Sequence, residues 1–314
     1  MEKKYREVPD MNKLTFTAYD GKTITYREWL AEKPKGIMQI SHGMAESSDR
    51  YSAFAEFMSA RGFIVVADDH RGHGETDPDR RGYADGDMWN DTLKDLAALN
   101  KAYCEKYPDL PYIIFGHSYG SFLTQAYIER YGDTVDGAVI GGSAYLNDFS
   151  VVAARIVAKW NCFFGRGDKP AELIKKLSFD AYNKKYDDGT TFISQIKDEC
   201  ERYEKSWDCN FTLSNNFYKS FFSGLPKVYK AKNYKRIPKE LPILLIAGDG
   251  DPVGGYGKLV DKLYRFYKVK VGVRSVEKII YPEVRHEYLN DTVREEVRGE
   301  IAAFAEAIAI RPND

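Results

Sequence analysis

The stretch "PYIIFGHSYGSFLTQAY", residues 111–127, decides the fold. Four strand-forming residues lead directly into Gly116, and apolar residues at helical spacing begin directly after Ser118. The centre, "GHSYG", matches G-x-S-x-G, a sharp strand-to-helix turn that exposes a nucleophilic serine. The alternative is an ordinary serine that caps a helix. Because strand, turn and helix follow in register, the sequence favours a nucleophile at Ser118.

Strands and helices alternate along most of the chain. Two β-rich runs flank Asp20-Gly21 and predict a hairpin, and six further apolar runs predict strands. Residues 145–236 read mostly as helices and loops. The order predicts an α/β fold with a mostly parallel eight-stranded sheet and helices on both faces. The predicted divisions are a core, 1–144 and 237–314, and a helical insertion, 145–236.

Composition excludes several classes of function. The chain has 314 residues, a net charge of −1 and no clustered basic stripe, which argues against a nucleic-acid partner. No apolar run is long enough to span a membrane, and the first 13 residues lack the apolar region of a secretory leader. The four cysteines are far apart with no CxxC pair, so we expect no metal site. A cytoplasmic protein is expected.

A nucleophilic serine needs a base that accepts its proton. The chain has five histidines: His42, His70, His73, His117 and His286. His117 adjoins Ser118, but successive side chains diverge around a tight turn, so we expect it to be a turn or pocket residue. In the elbow architecture the acid and then the histidine follow the serine, and only His286 does so. The alternative is that His286 is an ordinary surface-loop histidine.

The acid should follow the preceding strand, "LPILLIAG". Asp249 and Asp251 both lie just beyond its end, in a glycine-rich loop, and spacing does not choose between them. One of the two is expected to be a turn aspartate.

Two backbone N–H groups should stabilise the tetrahedral oxyanion. One is expected from Tyr119, the residue after the nucleophile. The other is expected from the loop "SHGMAESSDRY", where Met44 follows Gly43. The absence of a side chain on Gly43 would open the backbone there to substrate.

Five motifs in order, "SHGMAESSDRY", "DHRGHGETD", "GHSYGS", "AGDGDPVG" and "RHEYLND", resemble the α/β-hydrolase-fold serine hydrolases of the monoacylglycerol lipase and lysophospholipase group. The resemblance implies Ser118 as nucleophile, His286 as base and Asp251 as acid, with Met44 and Tyr119 as oxyanion donors. It also implies a helical cap inserted after the strand "GAVIGG".

Polar residues near the predicted site are expected to organise its loops by hydrogen bonding rather than to act in the chemistry. These supporting candidates are His42, Gly43, Glu46, His70, Arg71, His73 and His117. Many members of the resembled group carry a second histidine where this chain has Ser47, a departure that would alter the entrance to the site.

The strand-poor segment is rich in aromatic residues, with 18 in positions 145–234. They could line an acyl channel or form the core of a small helical cap, and the sequence favours neither. The patches "WNCFFG" and "NNFYKSFFSGL" could face a lipid-like substrate or touch a membrane surface transiently, but both are too short to anchor the chain. Positions 145–234 contain 15 basic and 11 acidic residues, so the net charge of this segment is only mildly positive.

The sequence predicts a serine carboxylester hydrolase that works through an acyl-enzyme and needs no cofactor. Monoacylglycerols, lysophospholipids or similar medium- to long-chain esters are the expected substrates. The alternatives are an aryl or cinnamoyl esterase or a serine aminopeptidase on the same fold, or a ligand-binding protein that retains it. Acyl-chain length, head group and oligomeric state stay open.

Overall fold

The computed structural model describes residues 11–83, 85–186 and 188–310. The prediction that the chain lacks a secretory leader falls on its first residues, most of which lie outside these ranges.

Within the described residues, eight strands form one sheet in the order β1-β2-β4-β3-β5-β6-β7-β8. The pairs β1·β2 and β2·β4 are antiparallel and the other five are parallel, which confirms the predicted mostly parallel sheet. The strands are β1 Met11–Thr17, β2 Thr23–Trp29, β3 Gly36–Ser41, β4 Phe63–Asp68, β5 Tyr112–His117, β6 Gly137–Gly141, β7 Ile243–Gly248 and β8 Val276–Tyr281.

Helices cover both faces of the sheet because alternate strand residues point to opposite sides. On one face, Ile113 and Phe115 of β5 pack with the first and last helices of the core; on the other, Tyr112 and Ile114 pack with three others. The helices on the face of Ile113 and Phe115 are α1 Ser52–Ser59 and α11 Arg294–Ala309. Those on the face of Tyr112 and Ile114 are α2 Met88–Lys106, α3 Tyr119–Tyr131 and α10 Lys258–Arg265.

The chain between β6 and β7, residues 142–242, is called the insertion below. Its helices are α4 Phe149–Phe163, α5 Glu172–Leu177, α6 Phe179–Asn183, α7 Lys197–Lys205, α8 Asn215–Val228 and α9 Ala231–Tyr234. The long helices α4 and α8 pack against each other, and α8 also packs on α2 and α3. The insertion is therefore joined to the core directly above the helix that follows Ser118.

The parallel strands β3, β5, β7 and β8 all end at the same edge of the sheet. The loops that leave this edge contain every residue that the sequence nominates for catalysis. Binding sites of α/β folds form at this edge, because loops from several strands converge there.

Candidate active site

Ser118 lies in the turn between β5 and α3, with a backbone φ of 52° and ψ of −119°. A positive φ is costly for a residue with a side chain, and such strain concentrates at functional sites. The turn is held by the hydrogen bond from the Ser118 N–H to the Gly141 carbonyl, 3.0 Å. A Cβ at Gly120 would collide with the Ser41 carbonyl oxygen, so this position requires glycine.

Three side chains converge at the turn in a hydrogen-bonded chain. The Ser118 Oγ lies 2.8 Å from the His286 Nε2, and the His286 Nδ1 lies 2.9 Å from the Asp251 Oδ2. Asp251 is fully buried, and its other oxygen accepts the Val253 N–H at 2.8 Å. This is the geometry in which an imidazole can accept a serine proton while a carboxylate fixes its tautomer.

The two aspartates that spacing left open have different partners. Asp249 accepts the backbone N–H of Glu283 at 2.5 Å and so ties the loop after β7 to the loop after β8. Asp251, two residues later, contacts the imidazole of His286. The structure thus brings Asp251 to the histidine and leaves Asp249 in a turn.

The electrostatics of His286 favour an imidazolium. Burial opposes its charge, but the Asp251 carboxylate, through charge and hydrogen bond, raises the pKa of His286 above its ordinary value. Glu287 and Glu46 act in the same direction. A proton taken from Ser118 would therefore be held at this ring.

His117 lies behind His286, with the ring centroids 4.8 Å apart. Its Nδ1 is 3.4 Å from the Tyr288 hydroxyl, and the serine hydroxyl is bonded to His286 instead. Burial, reinforced by the charges of His286 and Arg50, lowers the pKa of His117 well below its ordinary value. A neutral ring packed against the base agrees with the expectation of a pocket residue.

The loop after β3 passes beside the serine. A Cβ built on Gly43 would lie 3.2 Å from the Cβ of Ser118, so this loop and Ser118 are adjacent. Among the hydrogen bonds of the described residues, none uses the backbone N–H of Met44 or Tyr119. Both N–H groups therefore stay available for an oxyanion beside Ser118.

Glu46 supports the loop after β3 from behind. Its Oε1 accepts the Gly43 N–H at 2.5 Å and the Tyr51 hydroxyl at 2.8 Å. Arg50 forms an ion pair with Glu46 at 3.3 Å and also donates to Glu287. Burial and the neighbouring Glu287 raise the pKa of Glu46 to about 7.

Sequence reasoning missed Arg50 and Glu287. The four-residue spacing of Glu46 and Arg50 is a local signal for an ion pair. Nothing in the sequence joins either residue to Glu287, which is 237 positions from Arg50.

The histidines upstream of the serine organise neighbouring loops. The Nε2 of His42 accepts the His70 N–H at 2.9 Å, and its Nδ1 donates to the Gly43 carbonyl at 2.7 Å. His70 bonds to Asp68 at 2.8 Å. Burial lowers the pKa of His73 to about 3, so this ring is neutral.

Arg71 contacts the turn of the β1–β2 hairpin rather than the serine. Its guanidinium donates to Asp95 of α2 at 2.6 Å and to Asp20 of the hairpin at 2.5 Å. Ser47, the departure from the resembled group, donates to Asp208 of the insertion. Its hydroxyl therefore connects the loop after β3 to the insertion.

The insertion packs an aromatic cluster onto the turn. The ring of Tyr119 lies 5.1 Å from Phe217 and 5.6 Å from Phe221, both on α8. The patch "NNFYKSFFSGL" is thus largely buried over α3, and it is not a membrane-facing surface. The patch "WNCFFG" is different, because Trp160 and Phe163 of α4 are 64% and 83% exposed.

Residues 11–83, 85–186 and 188–310 contain no group of three or more His, Cys, Asp or Glu arranged to hold a metal ion. No helix within those ranges is long and apolar enough to cross a membrane.

Most of the chain matches the model of a known protein family. The model of the family described as serine aminopeptidase, S33, matches residues 32–293. The chain belongs to this family. The match spans the sheet from β3 to β8, the insertion and all three residues of the hydrogen-bonded chain.

Within this family, the chain is similar to lipases and esterases. A monoacylglycerol lipase of Mycolicibacterium smegmatis is 24% identical over 92% of this chain and 95% of its own. Human monoglyceride lipase is 30% identical, over 52% of this chain and 56% of the human protein. The crystal structure of a thermostable carboxyl esterase from Bacillus coagulans is 29% identical, with a TM-score of 0.87 over 96% of this chain and 99% of the esterase.

These likenesses confirm three sequence predictions. The chain has the α/β-hydrolase fold, it resembles the monoacylglycerol lipase group, and it is a serine hydrolase of the esterase and lipase type. The family description also fits the aminopeptidase alternative.

Proposed function

We propose that this enzyme cleaves carboxylic esters through an acyl-enzyme in which Ser118 is the nucleophile, His286 the base and Asp251 the acid. The observation that carries the proposal is the 2.8 Å contact between the Ser118 Oγ and the His286 Nε2. The serine hydroxyl lies within hydrogen-bond distance of its acceptor, and a buried carboxylate contacts the other nitrogen of the same ring.

The reaction follows from that arrangement. The Ser118 Oγ attacks the ester carbonyl carbon while its proton passes to the His286 Nε2. The tetrahedral intermediate collapses when the imidazolium protonates the leaving alcohol, which leaves an acyl group on Ser118. Water then repeats the two steps, with His286 as base and then acid, and releases the carboxylic acid.

The N–H groups of Met44 and Tyr119 would donate to the developing oxyanion. Removal of one such donor in a serine hydrolase costs about 10²–10³ in rate. Both donors come from the backbone, so only substitution by proline removes an N–H, and proline also restricts the backbone φ there. The Gly43 contact with Glu46 fixes the path of the loop that supplies one of them.

Monoacylglycerols and similar lipid esters are the proposed substrates. The relative from Mycolicibacterium smegmatis, which matches almost end to end, is a monoacylglycerol lipase, and the esterase from Bacillus coagulans was crystallised with glycerol. Aromatic residues of α8 pack beside Tyr119, the residue after the serine, so the insertion is apolar where it covers this turn. No cofactor takes part in the proposed reaction.

The family description favours aminopeptidase activity as a second candidate. An aminopeptidase needs an accessible carboxylate for the α-ammonium group of its substrate. The carboxylates of Glu46 and Glu287 lie near the histidine, but both are buried and paired with Arg50. Their pairing supports ester rather than aminoacyl substrates.

We further propose that residues 145–236 of the insertion form a cap over the core. This cap would touch lipid surfaces transiently through α4. The exposed side chains Phe149, Val152, Ile156, Trp160 and Phe163 follow helical spacing and so form one stripe. The exposed cations Lys159, on this helix, and Arg166, three residues after its end, suit anionic head groups. A cytoplasmic location stays a prediction of the sequence.

A fluorophosphonate probe and a substrate panel test the proposal. Wild type and Ser275→Ala, a serine before β8 and at the opposite edge of the sheet, should be labelled, whereas Ser118→Ala should not. Hydrolysis is then compared across p-nitrophenyl esters, monoacylglycerols, lysophospholipids and aminoacyl amides. Unlabelled wild type would exclude the serine mechanism, and a preference for the amides would exclude the lipid assignment.

A further inference from the structure

Arg285, the residue before His286, is buried and directs its guanidinium into the insertion rather than to solvent. Its Nη1 donates to the Thr190 hydroxyl, to the Thr191 carbonyl at 2.7 Å and to the Ser194 carbonyl at 3.0 Å. Thus one side chain of the histidine loop holds a bend in the insertion by three acceptors. The second guanidinium nitrogen, Nη2, reaches Asp188 at 3.4 Å, so a lysine would keep the charge but lack this second donor nitrogen and the planar face of the guanidinium.

The same bend is hydrogen-bonded to the backbone around the base. The His286 N–H donates to the Phe192 carbonyl at 3.1 Å, and the Glu287 N–H donates to the Ile193 carbonyl at 2.8 Å. The Phe192 ring lies 5.6 Å from the imidazole, centroid to centroid. The position of His286 is therefore coupled to that of the bend.

The contacts continue to the loop that carries the acid. The ring of Tyr186 stacks under the Arg285 guanidinium at 4.0 Å, and its hydroxyl donates to the Gly250 carbonyl at 2.9 Å, next to Asp251. We call residues 186 and 188–195 the contact segment. It joins the loops after β7 and β8, which supply two of the three groups in the hydrogen-bonded chain.

We propose that Arg285 is a positioning residue, which fixes the contact segment against the histidine loop and so sets the imidazole at its working distance from Ser118. The inference rests on the proposed role of His286 as base. Partners outside the first contacts of a reactive histidine commonly orient its ring. An error of about 1 Å at a reacting group costs up to about a hundredfold in rate, so loss of this orientation should affect turnover more than binding.

The experiment compares Arg285→Ala with wild type by rate constants per active site. A small fluorophosphonate forms the Oγ–P bond at Ser118 while fluoride leaves and His286 takes the serine proton, so its rate reports the serine–histidine pair without a lipid pocket. The labelled fraction counts competent sites. In Arg285→Ala we expect the phosphonylation rate constant and kcat for a short p-nitrophenyl ester to fall on the order of tenfold, with KM within about twofold.

Chemical rescue separates positioning from folding. Guanidinium chloride at millimolar concentration, far below denaturing levels, should restore part of the lost rate in Arg285→Ala, and sodium chloride should not. Arg285→Lys should have a phosphonylation rate constant below that of wild type. Thr190→Val removes an acceptor on the insertion side without touching the histidine loop, and should lower the same rate constant by a smaller factor.

The control is Arg274→Ala, since Arg274 is exposed and pairs with Glu240 away from the site. It should keep the wild-type rate constant. Two results would overturn the inference: unchanged rate constants per labelled site in Arg285→Ala, or a loss confined to the labelled fraction. If wild type is phosphonylated but hydrolyses no ester, the proposed function fails, while the Arg285 comparison still stands on the phosphonylation rates.

Discussion

Two aspartates in the loop after β7 differ by one contact. Asp251 accepts from the His286 imidazole at 2.9 Å, whereas Asp249 accepts a backbone N–H at 2.5 Å. Asp251→Asn should lower kcat/KM by about 10⁴, because an amide favours the wrong imidazole tautomer and does not stabilise the imidazolium. Asp249→Asn should keep activity near wild type, because an amide oxygen still accepts the Glu283 N–H. Steady-state kinetics on a p-nitrophenyl ester measures both.

The pair is its own matched control, since the two substitutions are chemically identical and two residues apart. Equal losses would place both aspartates in the reaction, and a loss confined to Asp249→Asn would make Asp249 the acid. Thermal unfolding of each variant shows whether a loss of activity comes from loss of the fold.

The sequence predicts some of these residues because chain order constrains them. Ser118 stands in a short motif with its own strand and helix, and His286 is the only histidine after it. Spacing could not separate Asp249 from Asp251, because that choice needs the direction in which a loop turns, and it was the family resemblance that favoured Asp251. Arg285 gave no signal, since the described contacts of its guanidinium are made with residues 91 to 99 positions away.

At the scale of elements, α3 carries an unusual buried carboxyl group. Glu129 is 4% exposed, and its Oε1 has no hydrogen-bond partner among the described residues. Burial raises the pKa of this carboxyl to about 9, against weaker lowering by Arg130 and Arg236. The folded protein thus holds a proton that the unfolded chain releases near pH 4.5.

Stability should therefore fall as pH rises between about 4.5 and 9, the unfolded and folded values. Glu129→Gln has no such proton, so its stability relative to wild type should grow with pH across this window. We expect little difference at pH 5 and a gain of about 2 kcal/mol at pH 8, below the full linkage value because water penetration relaxes buried charges.

Thermal melts of Glu129→Gln at the two pH values measure this. Glu105→Gln, an exposed glutamate on α2 with a surface partner at Lys101, is the control and should show no pH-dependent gain. A gain for Glu129→Gln of equal size at both pH values would show that the carboxyl is not protonated in the fold.

The strands of the parallel sheet were predictable because each is a short apolar run buried on both faces, such as Ile243–Gly248. The two aromatic patches of the insertion were not separable by sequence. Both α4 and α8 carry large apolar side chains at helical spacing. Helix α8 packs on the core helices α2 and α3, whereas α4 packs on α8. Burial of one helix and exposure of the other is set by packing, which periodicity does not encode.

In the whole molecule, the insertion has an inner and an outer apolar surface. The inner one, on α8, packs beside Tyr119, the residue after the serine; the outer one, on α4, carries Phe149 and Phe163, each 83% exposed. A large exposed apolar stripe is costly for a molecule that meets only water. A lipid surface that also presents the ester substrate would cover the stripe and deliver substrate to the same side of the enzyme.

Vesicle binding tests this placement. The double variant Trp160→Ser with Phe163→Ser should lose cosedimentation with vesicles that contain phosphatidylglycerol, while turnover of a short soluble ester stays unchanged. Burial of the two side chains contributes about 1.5–3 kcal/mol each, so together they amount to at least a tenfold change in partitioning. Trp207→Ser removes a tryptophan that is 53% exposed but lies outside α4, and this variant should bind as wild type does.

Higher salt should weaken the binding of wild type to these vesicles, because salt screens the exposed charges of Lys159 and Arg166. Retention of binding by the double variant, or equal loss in Trp207→Ser, would remove α4 from the lipid contact.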